Sequence, residues 1–227
     1  MRVGATSALA TKYMARKNPR TAAIIGAGWQ ADGHVKALTA VHALSEIRCY
    51  SPTRAKLETF CRAMSEQTGV AVVPSPSPEA AVKGADIVLC ATNATQHVFM
   101  PQWLEPGMHV CSIRGPELDP GVVAQSDLVV VNDRVAHENM SITQGVTVPK
   151  NRHSIAGLDP KTTPTLGDLI AGLAPGRVSD RQKSCFVNLP GIGLQFAAVG
   201  AALYQKALAA KRGHELPTEW FTDDVVP

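Results

Sequence analysis

An apolar run, Thr21 to Ile25, breaks into Gly26-Ala27-Gly28-Trp29-Gln30-Ala31 and passes straight into a segment with Val35, Leu38 and Val41 at helical spacing. A strand that turns into a helix on two glycines restricts the fold more than any other feature of the chain. Gly26 permits the tight turn, and Gly28, with no Cβ, lets an anion approach the backbone closely. Ala31, the third small position, lets the helix lie close on the strand. The free N–H groups and positive dipole end of that helix favour phosphate. The pattern predicts a dinucleotide pyrophosphate site; the competing reading is an ordinary tight strand-to-helix turn.

Beyond residue 41 the chain keeps alternating between strand and helix signals. Strands are expected at 46–50, 70–74, 85–92, 109–113 and 127–133, and helices over 54–65, near 78–83, and in the DPGVVAQS segment that precedes the last of these strands. Near-continuous apolar strands separated by helices require a parallel sheet covered on both faces. With the strand at Thr21 this makes six, and the expectation is an α/β, Rossmann-type, doubly wound, mostly parallel sheet over residues 20–150. Residues 1–19 read as a connecting helix, with Leu9 and Tyr13 four apart on one face. Residues 151–227 read as a C-terminal helical segment: a short helix in TPTLGDLIAGLAPGR, then LQFAAVGAALYQKALAAKRG, apolar almost all round and therefore expected to be covered.

Composition removes several function classes. Twenty-two Lys and Arg against 19 Asp and Glu leave a formal net charge of +3, dispersed along the chain, and 5% aromatic residues provide no stacking platform for bases, so nucleic acid is not an expected partner. Five cysteines, Cys49, Cys61, Cys90, Cys111 and Cys185, are odd in number, far apart and mostly inside apolar runs. They read as reduced core residues of a cytoplasmic protein. The longest apolar stretch, Leu194 to Leu208, is too short and interrupted to span a bilayer, so no membrane association is expected. His34, His42, His97, His109, His137, His153 and His214 lack ligand spacing, and no metal site is expected.

Four stretches then combine: RVGATSALATKYMARKN, IIGAGWQADGH, GDLIAGLAPGRVSD and FVNLPGIGLQFAAVGAALYQKAL. Together, in this order, they resemble the ornithine cyclodeaminase and mu-crystallin family, whose members include ornithine cyclodeaminase, alanine dehydrogenase and reductases of cyclic imino acids such as Δ1-pyrroline-2-carboxylate. The resemblance implies a nicotinamide-dinucleotide protein that passes hydride between the cofactor and the α-carbon of a small amino or imino acid, and a homodimer or other self-association.

Carried over residue by residue, the resemblance implies that Arg2 grips a substrate carboxylate through its bidentate guanidinium. The competing reading is a solvated arginine at a frayed terminus. Trp29 and Gln30 fall where relatives touch the pyrophosphate, and Thr92 and Asn93 where a threonine-containing turn borders the nicotinamide ribose. Ser112 and Ile113 fall where backbone lines the nicotinamide. Asn188 and Leu189 match a loop dipeptide that returns to cofactor and substrate, with Pro190 as an added residue.

Cofactor choice is read after the second strand, where an acidic residue would bind the ribose 2′-hydroxyl of NAD. Here stand Ser51, Pro52, Thr53 and Arg54. Two hydroxyls and a guanidinium suit a 2′-phosphate, so NADP(H) is favoured over NAD(H). Helix capping by Ser51 or Thr53, with Arg54 solvated, explains the same residues and is compatible with it.

Two departures from the family stand out. Relatives carry an aspartate after the fifth strand for acid–base work; the shortened Ser112-Ile113-Arg114-Gly115-Pro116-Glu117-Leu118-Asp119 has no residue in its place. Glu117 and Asp119 read as caps of the helix that begins near Pro120. Relatives also carry a long N-terminal region ahead of the Arg2 motif, which provides most of the substrate and dimerisation domain. The alternatives to an enzyme are thus a non-catalytic NADP(H)-binding protein in the manner of mu-crystallin and a truncated, inactive family member. Asp168 reads as a first-turn residue under a Thr165 cap, not as a catalytic acid. Nothing beside Cys111 or Cys185 lowers a thiol pKa.

Overall fold

Short, β-branched and alanine-rich runs form the strands, and in the computed structural model, which describes residues 1–134, 158–159, 162–189 and 191–221, they make one parallel sheet. Its strands are β1 (Thr21–Ile25), β2 (Glu46–Tyr50), β3 (Ala71–Pro74), β4 (Ile87–Cys90), β5 (His109–Ser112), β6 (Leu128–Val131) and β7 (Ser184–Val187). They lie in the order β3-β2-β1-β4-β5-β7-β6, every pairing parallel. The order reverses between β1 and β4, where Ala22 pairs with Ile87 and Ile25 with Cys90. A crevice opens at such a reversal, at the carboxyl ends of the strands.

All six expected strands are present. The seventh is new: β7 comes from the segment read as helical and lies between β5 and β6, with Phe186 beside both Cys111 and Val130. Four residues buried on both faces carry no periodicity to distinguish strand from helix. Ser184 at the head of β7 interrupts the apolar run, yet it is fully buried because its hydroxyl donates to the Met14 carbonyl at 2.7 Å.

The helices are α1 (Arg2–Met14), α2 (Trp29–Val41), α3 (Arg54–Thr68), α4 (Pro78–Val82), α5 (Pro120–Ala124), α6 (Leu166–Ile170) and α7 (Gly193–Ala209). One sheet face, with Ile24, Leu89, Cys111 and Phe186, packs against Met14 of α1, Leu38 of α2 and Leu57 of α3. The other, with Ala23, Val88, Val110 and Val187, packs against Val82 of α4 and Val122 of α5. Each large aliphatic side chain so buried stabilises the fold by about 1.5–3 kcal/mol.

The helix expected at the N-terminus forms, but it is turned the other way. Leu9 and Tyr13 are exposed, whereas Gly4, Ser7, Ala8, Thr11 and Met14 are buried. The reason is the closeness of α2: a Cβ on Gly4 would overlap the Gly33 carbonyl, so only small residues fit between the two backbones. At the far end of α2, Val35 and Leu38 are buried and Val41 is 37% exposed, so the apolar spacing outruns the covered part of the helix.

Residues 1–192 form one compact unit and 193–227 a second. In the second, α7 buries none of its residues, and Leu194, Phe196, Leu203, Tyr204 and Leu208 are exposed. The expectation that this helix is covered is not met by its own unit. Among the described residues no helix is long and apolar enough to cross a membrane. His137, His153, Pro190 and the boundary drawn at residue 150 lie outside the described residues.

Candidate functional site

The turn after β1 separates the roles of its two glycines. Gly26 has φ +117°, donates its N–H to the Tyr50 carbonyl at 2.8 Å, and lies so close to β4 that a Cβ would overlap the Ala91 carbonyl. The fold itself requires glycine there. Gly28 is different. It is the N-cap of α2 in extended conformation, φ −104° and ψ −172°, with nothing within 4 Å of where a Cβ would stand. Neither backbone strain nor packing requires a glycine here, and the helix N-terminus that it caps is left open. Ala31 is fully buried one turn on, as close strand–helix packing demands.

Gly28 opens onto a cavity of about 750 Å³ above the ends of β1, β2 and β4. Gly26, Gly28, Trp29, Gln30, Ser51, Thr53, Thr92 and Asn93 all line it. The sequence did not single out Lys56, Tyr50, His97 or Trp103, which line it as well. Lys56 shares the first turn of α3 with Arg54, so helical geometry was the available signal.

Arg54, by contrast, is not on the cavity wall. Its Nε is 2.6 Å from Glu58 Oε1, an i,i+4 pair on the exposed side of α3. Thr53 is the N-cap of α3 but makes no side-chain cap bond, which leaves its hydroxyl for the cavity. Among the described residues no carboxylate lines the cavity.

The remaining expected residues gather elsewhere, where α1 meets the ends of β5 and β7. Asn188 donates its backbone N–H to the Ser112 carbonyl at 2.9 Å, and its side-chain amide to Val3 O at 3.1 Å and Ser7 Oγ at 2.9 Å. Leu189 is buried beside it. The Arg2 guanidinium lies against Gly191, where a Cβ would overlap it. Arg2, Ser112, Asn188 and Leu189 therefore form a second cluster, and neither it nor Ile113 lines the cavity. The Ser112 Oγ is buried without a hydrogen-bond partner among the described residues.

A buried polar chain joins the two clusters. Ser7 Oγ accepts from Asn188 and from the Cys111 thiol, so its own proton goes to His34 Nε2 at 3.0 Å. His34 is then a donor at Nδ1, 2.7 Å from the Gln30 carbonyl in the first turn of α2. Burial holds the imidazole pKa below its ordinary value, so it is neutral, as this tautomer needs. The loop after β7 is thereby tied through α1 to the helix that faces the cavity.

Glu117 overturns its reading as a helix cap. Asp119 alone caps α5, Oδ1 accepting from Gly121 N at 2.8 Å. Glu117 is fully buried and turned the other way. Its Oε1 accepts from Thr92 N at 2.6 Å and Thr92 Oγ1 at 2.9 Å, and its Oε2 from Ile113 N at 2.8 Å and Arg114 N at 3.0 Å. Burial pushes the carboxyl pKa up, and these four donors hold it down in part.

Asp168 does behave as a first-turn residue. It forms a reciprocal cap with Thr165, pairs with Arg134 at 2.6 Å, and is held below the usual carboxylate range by the Thr165 bonds. All five cysteines are buried and free, with burial pushing Cys185 up to about 12. Among the described residues no group of three metal-ligating side chains occurs.

A model of the ornithine cyclodeaminase/mu-crystallin family matches residues 1–211. The chain belongs to this family. Similar family proteins include a Delta(1)-pyrroline-2-carboxylate reductase of Bacillus cereus, 30% identical over 221 residues that cover 95% of this chain and 66% of the relative. Among solved structures, that of the Thermococcus litoralis Delta(1)-pyrroline-2-carboxylate reductase with NADH and L-proline is 28% identical at a TM-score of 0.82, covering 95% of this chain and 67% of that one. An archaeal alanine dehydrogenase dimer with bound NAD is 26% identical at a TM-score of 0.75, covering 95% and 66%. This family member spans about two thirds of the length of the curated relatives it matches.

Proposed function

We propose that this chain is the dinucleotide-binding part of an NAD(P)-dependent oxidoreductase or cyclodeaminase acting at the α-carbon of a small amino or imino acid. Gly28 carries the reading: a glycine that neither fold nor packing requires, at a helix N-terminus facing a cavity large enough for a dinucleotide. When bound, the nicotinamide supplies or accepts the hydride. The chain's own part is to hold the pyrophosphate on the α2 N-terminus, with Trp29 and Gln30 in its first turn, and to border the ribose with Thr92 and Asn93. Ser112, Ile113 and Asn188 are proposed beside the nicotinamide, and Arg2 with Leu189 at the substrate carboxylate; the contact of Asn188 with Ser112 supports their grouping. The division at residues 19 and 150 is proposed as the functional one, with β7 reaching back into the sheet.

NADP(H) is favoured over NAD(H), because Ser51, Thr53 and Lys56 line the cavity and, among the described residues, no carboxylate there repels a 2′-phosphate. The exposed apolar side chains of α7 support self-association, and the free, buried cysteines a reducing, cytoplasmic setting. One observation favours a non-catalytic, mu-crystallin-like binder as the second reading: Glu117, the carboxylate nearest in sequence to the family's acid–base position, is buried away from the cavity. Fluorescence titration with NADPH and NADH, followed by assay of Δ1-pyrroline-2-carboxylate reduction, tests both. Binding with turnover supports the enzyme, binding without turnover supports the second reading, and no binding refutes both.

A further inference from the structure

Residue Glu117 does more than fill the place of a cap. Residues 92–97 after β4 contribute Thr92, Asn93, Ala94 and His97 to the cavity wall, and residues 113–117 after β5, none of which lines the cavity, are bonded to them. They contain few apolar side chains with which to pack on each other, so hydrogen bonds must set their separation. Glu117 makes most of them. Its Oε1 takes the N–H and O–H of Thr92 across the gap, its Oε2 takes the N–H groups of Ile113 and Arg114 within its own loop, and its backbone carbonyl accepts from Val98 N at 2.8 Å and Phe99 N at 3.1 Å, just beyond the first loop. His97 adds one bond, Nδ1 to the Pro116 carbonyl at 3.0 Å. Because a carbonyl only accepts, that ring nitrogen carries the proton.

A carboxylate whose lone pairs all face donors has no place for a proton. Protonation turns one acceptor oxygen into a donor: on Oε2 it faces an N–H, and on Oε1 it can be taken only if the Thr92 hydroxyl reverses, so at least one of the four bonds is lost as it stands. The nearest to yield is Thr92, whose residue is itself on the cavity wall.

We propose that Glu117 is the positioning residue of the dinucleotide cavity: its ionised carboxylate holds Thr92 and the loop after β5 in the shape that binds the cofactor, and protonation releases that shape. This rests on the dinucleotide reading above. The sign is distinctive. Burial raises the pKa of Glu117, so it takes up its proton at a higher pH than exposed carboxylates, and dinucleotide affinity falls as pH falls through that value. The other groups facing Glu117 do not imitate this. Cys90 of β4 and Cys111 of β5 are neutral thiols whose burial pushes their pKa up, and Arg114 of the same loop meets the carboxylate through its backbone N–H. His97, whose Nδ1 bonds the Pro116 carbonyl, is retained in Glu117→Gln, so the variant's profile separates its contribution from that of Glu117.

The probe is NADH, which lacks the 2′-phosphate that would itself titrate near neutral pH. Its dissociation constant is measured across the acid range for the parent chain and for Glu117→Gln. The parent is expected to lose affinity about tenfold or more on acidification, while Glu117→Gln binds at least tenfold more weakly at neutral pH with a flat profile. Calorimetry on the unaltered chain in two buffers of different ionisation enthalpy needs no variant: NADH binding at acid pH must release a proton, by reciprocity with the pH effect. Parent-like affinity and pH profile in Glu117→Gln, or binding without proton release, overturns the proposal and leaves the cofactor reading standing. Absence of NADH binding by the parent at neutral pH overturns both.

Discussion

Gly26 and Gly28 lie two residues apart in one turn, and substituting each in turn separates binding from folding. In Gly28→Val the new side chain enters open space, and φ −104° with ψ −172° is a conformation that valine adopts readily. Stability should fall by about 1 kcal/mol, because valine is a poorer N-cap than glycine. The same side chain stands between a pyrophosphate and the α2 N–H groups. Two charge-assisted hydrogen bonds lost at about 1.5–3 kcal/mol each amount to about 3–6 kcal/mol, or a 10²- to 10⁴-fold rise in Kd. Gly26→Ala does the reverse. At φ +117° an alanine costs about 1–3 kcal/mol in backbone strain. Its Cβ also overlaps the Ala91 carbonyl, which has to move. At this chain length, Tm should fall by about 2–4 °C for each kcal/mol. Fluorescence titration with NADPH and a thermal melt on both variants give the four numbers. Parent-like binding by Gly28→Val, or a melt depressed as far as that of Gly26→Ala, would refute the assignment of Gly28 to a ligand.

NADPH should bind more tightly than NADH, and Lys56→Ala should shrink that preference about tenfold or more, as loss of one charged hydrogen bond does; Arg54→Ala, whose guanidinium is engaged by Glu58, should shrink it less. Equal affinities in the parent sink the 2′-phosphate reading. Iodoacetamide at neutral pH should leave Cys185, with its thiol pushed up to about 12, unmodified until the chain unfolds, and rapid labelling of the native protein would contradict its burial. Light scattering should find the chain self-associated, and Phe196→Glu with Leu203→Glu should reduce the mass; a monodisperse parent monomer that binds no hydrophobic dye argues against α7 as a contact surface.

Local signals were enough for much of this fold. Two glycines and an alanine after an apolar run determine a strand, a turn and a helix whatever surrounds them, since φ, Cβ sterics and the helix dipole act within a few residues. The same holds for the Thr165 and Asp119 caps, where donor and acceptor are two or three residues apart. Tertiary structure decided the rest, because the deciding neighbours are remote in sequence. Leu9 and Tyr13 point outward only because Gly33 brings α2 too near for them. Ser184 passes into a buried strand because Met14, 170 residues away, accepts its hydroxyl proton. Arg54 and Lys56 are both cations on one helix, and the direction of α3 over the sheet selects the second for the cavity. Glu117 looks in sequence like a charge awaiting a helix dipole. The end of β4, 25 residues upstream, presents two donors to it, and four hydrogen bonds in a dry site outweigh one weak interaction with a five-residue helix.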